Sequence, residues 1–150
     1  MRVETGKKQP LVKDVWISIK SPAIEFGTDD GIELITEGKL FIEDGRYKVE
    51  YDESSITGML GTRTTLAIAG DVITVMRQGK INSNFIFTKG QRQESMYETE
   101  FGNLPISVFT NSVDINFNEN GGEVKVEYQI DLMNDIGRNY IHMNVREAGN

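Results

Sequence analysis

Cysteine is absent from this chain of 150 residues, which excludes disulfides, thiol nucleophiles and thiolate zinc sites together. Histidine occurs once, at His142, so no imidazole pair can hold a metal and any Ser-His-Asp arrangement must use that single ring. No apolar run approaches the length of a membrane helix, and the opening residues Met1 to Pro10 carry no apolar signal segment. Basic residues are the minority: 16 Lys and Arg against 23 Asp and Glu give a formal charge of -7. An acidic, interspersed surface argues against a phosphate-backbone partner. The expectation is one soluble, cytoplasmic domain over residues 1–150, with residues 1–11 a flexible N-terminal segment, bound to no membrane and no nucleic acid.

What is present is alternation. Glu123 to Leu132 switches between polar and apolar at every step, and the Asn120-Gly121-Gly122 before it reads as a hairpin turn with Asn120 and Gly121 at positive φ. The same pattern starts at Val15, Ile17 and Ile19. It resumes after Asp29-Asp30-Gly31 for twelve residues from Ile32 to Glu43, with Gly38 in the middle as a point where a barrel strand can bend. Asp44-Gly45 turns the chain into Tyr47, Val49 and Tyr51. Further strands are expected through Thr64 to Ile68, Ile73 to Arg77, and Phe85 to Phe87, and then around Met96 and Tyr97. Leu104 to Val108, Val113 to Phe117 and Ile141 to Val145 complete the set with the opening run. No segment shows a helical period; short helical turns have room at Pro22 to Asp30 or Asp52 to Ile56. About eight to ten short strands at regular spacing define an all-β barrel or sandwich.

Particular residues point further. The run Tyr51-Asp52-Glu53-Ser54-Ser55-Ile56-Thr57-Gly58-Met59-Leu60-Gly61-Thr62, with Thr64-Thr65-Leu66, Val75 to Lys80 and Asn118 to Gly122, resembles the YwiB-like family of uncharacterised bacterial proteins. The resemblance spans about Val12 to Glu147, and its most specific part is the Gly-Met-x-Gly-Thr block. It implies a single antiparallel calycin-like (lipocalin-like) β-barrel and carries no activity with it. Lipocalins show Gly-x-Trp on the first strand where this chain has Asp14-Val15-Trp16, so the likeness to them is one of fold, and Trp16 need not plug the barrel.

Polar residues in phase with the apolar face are the site candidates. Thr62 and Thr64 share the phase of Leu66 and Ile68, and Arg77 that of Ile73 and Val75, on strands joined at Gly70-Asp71. A guanidinium inside a barrel must be paired or hydrated. With hydroxyls beside it, and with Tyr97 and Tyr128 on the wall, it would suit the head group of a small apolar or anionic ligand. The plainer reading puts Arg77 at a strand end, its stem capping the core and its charge in water.

Other motifs dissolve on inspection. Asn116 to Glu127 nearly spells a calcium loop, but Asn stands first, Glu123 occupies an apolar position, and the hairpin reading accounts for every residue. Gly58 to Thr62 lacks the Gly-Lys-Ser/Thr ending of a phosphate loop and reads as a tight bend. His142 shares a polar face with Tyr140 and Asn144, and acidic pairs such as Glu43-Asp44 and Asp52-Glu53 read as solvated turns. No catalytic set, metal site or cofactor motif emerges. The expectation is a non-enzymatic, small-molecule-binding barrel. The alternative is a solid-core interaction module, acting as a homodimer or on a protein partner through Trp16, Ile35, Phe41, Phe109 and Tyr140 on the outer faces.

Overall fold

A computed structural model of the chain describes residues 11–21, 32–55, 59–132 and 135–149. Ten strands follow one another: β1 (Leu11–Ser21), β2 (Ile32–Glu43), β3 (Arg46–Asp52), β4 (Thr62–Ala69), β5 (Val72–Gly79), β6 (Ser83–Phe87), β7 (Arg92–Thr99), β8 (Gly102–Asn118), β9 (Gly121–Leu132) and β10 (Asp135–Glu147). Among the described residues there is no α-helix. The expected helical turn from Pro22 to Asp30 lies outside the described residues, as does Ile56 at the end of the other.

All ten strands join one antiparallel sheet in the order β6-β5-β4-β3-β2-β1-β10-β9-β8-β7. The sheet curls until its edges meet. Asn82, just before β6, exchanges both backbone hydrogen bonds with Glu98 on β7 at 2.9 Å, and the Ser95 hydroxyl donates to the Asn84 carbonyl at 2.8 Å. The barrel is therefore nearly closed, with a seam between β6 and β7 that is bridged at Asn82 and Glu98.

Alternation dictates the interior. Val15, Ile17, Leu40, Val49, Leu66, Ile73, Phe87, Val108, Val124, Val126 and Met143 are buried in one continuous core, while their chain neighbours face outward. β1 begins at Leu11, which pairs with Ile42, so Leu11 belongs to the sheet; the rest of the expected N-terminal segment, residues 1–10, lies outside the described residues. Trp16 points outward and is partly exposed; it plugs nothing.

Two local expectations need correcting. Leu104 to Val108 and Val113 to Phe117 are not separate strands but two halves of β8, joined by a bulge between Thr110 and Ser112. The extra residue Asn111 shifts the inward phase from even to odd positions without breaking the strand. At the β8–β9 hairpin, Asn120 does not take a positive φ. Gly121 and Gly122 do, at 116° and 149°, and the Asn118 side chain accepts from the Asn120 N–H at 2.7 Å. A Cβ on Gly122 would lie 2.1 Å from the Asn116 carbonyl oxygen, and one on Gly121 2.2 Å from that of Val145. These glycines let β9 enter between β8 and β10 at backbone contact. The calcium-loop spelling is consumed by this hairpin, with Asn116 paired to Glu123.

Gly38 stands where the pairing of β2 diverges. β1 pairs with β2 over its whole length, but β3 pairs with β2 only from Lys39 onward. Asp44, with φ of 52°, and Gly45 form the tight turn between β2 and β3.

Candidate functional site

The wall formed by β3 to β6 carries three inward rows. Tyr47, Ile68, Ile73 and Phe87 face one another across the strands, then Val49, Leu66, Val75 and Phe85, and then Tyr51, Thr64, Arg77 and Ser83. The first two rows belong to the apolar core; the third is polar throughout. It lies at the barrel end where β3 finishes, β4 begins, and β5 turns into β6. On the opposite wall Asn139, Tyr128 and Thr110 form a second inward polar row across β10, β9 and β8, all buried.

Arg77 and Glu53 set the electrostatics. Glu53 follows β3 in the inward phase of Val49 and Tyr51, and its side chain is 1% exposed, with Oε2 4.0 Å from Arg77 Nε. Among the described residues it is the one buried carboxylate. The Thr64 hydroxyl donates to Glu53 Oε2 at 2.5 Å, and the Tyr51 hydroxyl also bonds to Glu53. This overturns the solvated-turn reading of Asp52-Glu53: only Asp52 faces water, in an ion pair with Arg63 at 3.0 Å. Burial, and then the charge of Glu53, push the Tyr51 phenol well above its usual range, against the pull of Arg77. Burial likewise pushes Tyr128 up to about 12, again opposed by Arg77. Tyr128 therefore sits in the field of Arg77 although it stands on the other wall, with its ring 4.7 Å from that of Phe87.

Among the described residues three buried polar side-chain atoms have no hydrogen-bond partner: Arg77 Nε and Ser83 Oγ in this row, and Thr110 Oγ1 on the opposite wall. Such groups are rare in a folded core, because each forfeits the hydrogen bonds it made to water. Arg77 Nε is within ion-pair reach of Glu53 but beyond hydrogen-bonding distance, and Ser83 is its cross-strand neighbour.

The residues expected from the sequence divide accordingly. Arg77 and Thr64 meet at the polar end as expected, and Arg77 does not simply snorkel into water, since its side chain is 17% exposed. Thr62 is buried beside them but turns its hydroxyl away, accepting from the Ile81 N–H at 3.2 Å. Tyr97 faces inward on β7 and packs against the core, and its phenol adds to the field felt by Tyr128. Glu53, Tyr51, Ser83, Thr110 and Asn139 were not anticipated, although each extends the inward phase of its own strand.

The outer face offers less. A groove of about 670 Å³ opens beside the β2–β3 divergence, lined by Trp16, Glu37, Lys39, Asp52, Arg63 and Ala148 among others. Its two cations are already paired, Lys39 with Asp14 at 2.5 Å and Arg63 with Asp52. Exposed pairs of this kind stabilise little. His142 lies outside, bonded to Glu123 at 2.7 Å, which holds the Glu123 carboxyl below its usual range. Arg92 stacks 5.6 Å over the Phe109 ring, so that outward aromatic is partly covered.

Fold and interior together define a class: a ten-stranded antiparallel barrel, nearly closed, apolar through its body and polar at one end. The chain belongs to the family described as domain of unknown function (DUF1934), whose model matches residues 17–143. It is 23% identical over 116 residues to the uncharacterized beta-barrel protein YwiB of Bacillus subtilis (strain 168), covering 77% of this chain and 80% of that one. The crystal structure of ywiB protein from Bacillus subtilis has the same fold, with a TM-score of 0.72 at 17% identity over 95% of this chain and 96% of the other. The resemblance read from the Gly-Met-x-Gly-Thr block is thus borne out in family and in the single antiparallel β-barrel.

Proposed function

We propose that this barrel is a non-enzymatic, cytoplasmic binding protein whose polar end receives the head group of a small amphiphilic molecule. The observation that carries the reading is the row Tyr51, Thr64, Arg77 and Ser83, in which Arg77 Nε and Ser83 Oγ are buried without hydrogen-bond partners. A row serving only the fold would be apolar like the two beside it, or fully bonded within itself. Two donors on adjacent strands instead suit an oxygen acceptor brought in by a ligand. Tyr97 and Tyr128 supply aromatic wall for its apolar part.

Binding of a fluorescent polyene fatty acid, or of its methyl ester, tests the proposal. Arg77→Met removes the charged donor while keeping an apolar stem, and it should weaken binding about tenfold, the loss of one charge-assisted contact. It also leaves the Glu53 carboxylate buried without its cation, at a stability cost of about 1–3 kcal/mol. The double variant Arg77→Met with Glu53→Gln removes both charges, retains the fold, and should show the same binding loss. If the wild-type barrel binds neither probe, or if both variants bind as the wild type does, the site reading fails. The solid-core module, supported by the close packing of Phe85, Phe87 and Tyr128 across the interior, then becomes the better account.

A further inference from the structure

The presence of Glu53 changes what the polar end can accept. We infer that the head group is an uncharged oxygen acceptor, of the amide, ester or alcohol class, rather than a carboxylate or phosphate, and that Glu53 is the residue that sets this selectivity. The inference rests on the binding reading above and narrows it.

Charge balance carries the argument. The one buried carboxylate of the described residues lies 4.0 Å from the one cation in the polar row, so the formal charges of Arg77 and Glu53 cancel. Glu53 is fixed in place by donors from Thr64 on β4, directly across from Arg77, and from Tyr51 on β3, the next strand along the same row. An anionic head reaching Arg77 Nε would enter within a few ångströms of that fixed carboxylate, in surroundings where water screens poorly. It would also have to give up its own hydration, with the compensating cation already shared. A neutral carbonyl or hydroxyl oxygen meets neither penalty. It can accept from Arg77 Nε–H and from the Ser83 hydroxyl, the two buried groups without partners on adjacent strands. Ser83 is 7% exposed and stands directly across from Arg77, so both donors lie on the same inner face.

Titration calorimetry of the intact protein with octanamide, octan-1-ol and octanoate, at neutral pH and low salt, tests the inference. Octanamide and the alcohol should bind at least about tenfold more tightly than octanoate. Glu53→Gln keeps the acceptor for Thr64 and Tyr51 while removing the charge, and should reverse that order, because Arg77 then lacks a counter-ion and the ligand's carboxylate can replace it. Octanoate binding to the wild type as tightly as octanamide overturns the inference and leaves the binding site standing. Tight and equal binding of all three with no response to Glu53→Gln would show that Glu53 sets no selectivity. If none of the three binds, and the fluorescent amphiphiles do not bind either, the site reading itself falls and the inference with it. Circular dichroism of Glu53→Gln reads its fold independently of any ligand, and the wild-type comparison needs no variant.

Discussion

Thr110 separates the two uses a buried polar side chain can have. It is fully buried on the inner face, opposite Tyr128, and its hydroxyl has no partner. Replacing an unpaired hydroxyl by a methyl of the same shape removes a desolvation penalty and gives up no bond. Thr110→Val should therefore stabilise the barrel by about 1 kcal/mol, raising the urea midpoint at unchanged slope. Thr64→Val should do the opposite, since the Thr64 hydroxyl is bonded to Glu53. The contrast between two threonines in the same inward phase distinguishes an idle hydroxyl from one that holds a buried carboxylate. A loss of stability in Thr110→Val would show that the hydroxyl has a role in the fold that the contacts do not reveal.

Elements here are shaped by single residues that alter strand phase or spacing. Asn111 lets β8 run unbroken for 17 residues while its inward face changes parity, and the glycine pair at the start of β9 lets three backbones approach. At Gly122 the φ of 149° is rarely adopted by other residues, and the added Cβ would also lie 2.7 Å from Phe117 Cα. Because the obstacle is backbone on a neighbouring strand, no side-chain rotation relieves it. Gly122→Ala should cost about 2–4 kcal/mol, read as a lower thermal or urea midpoint. A change below about 0.5 kcal/mol would mean that the hairpin relaxes and that glycine there is incidental. The seven-residue strand β3 matters for a different reason: its phase, carried past Asp52, delivers Glu53 to the interior.

For the molecule as a whole, a shared consequence of the two buried phenols is sensitivity to alkali. The fold accommodates the neutral forms of Tyr51 and Tyr128, and both phenols are raised, Tyr128 to about 12. In the unfolded chain they ionise near the ordinary value of about 10. Their contribution is thus complete below about pH 10 and is lost as pH climbs from there towards 12, because the unfolded state releases protons that the barrel retains. Each such phenol is worth about 2 kcal/mol over that window. Urea midpoints should fall steeply above pH 10, and phenolate absorbance should reveal a set of tyrosines that ionise only on unfolding. Tyr128→Phe should flatten the decline. An equally steep fall in that variant would assign the alkaline loss to other groups.

Local chemistry determined a good deal. Side chains of a strand alternate strictly, so an uninterrupted polar–apolar rhythm assigns both the strand and its buried face, and Gly, Asn and Asp mark the turns for steric reasons that hold in any context. That made an all-β barrel or sandwich legible, the barrel itself being what the family resemblance implied, and with it the inward placement of Arg77, Thr62, Thr64 and Tyr128, which are simply polar letters in apolar phase. The same rule, carried one step past β3, reaches Glu53, and carried along β6, β8 and β10 it reaches Ser83, Thr110 and Asn139. What alternation cannot supply is which strands lie opposite one another, because pairing and barrel closure depend on register summed around ten strands. Only the tertiary structure put Glu53 4.0 Å from Arg77, turned Thr62 towards Ile81 instead, and brought Tyr128 on β9 into the field of a guanidinium on β5. It also joined two apparent strands into one through the bulge at Asn111, since a bulge adds a residue without leaving the turn chemistry that a sequence can display.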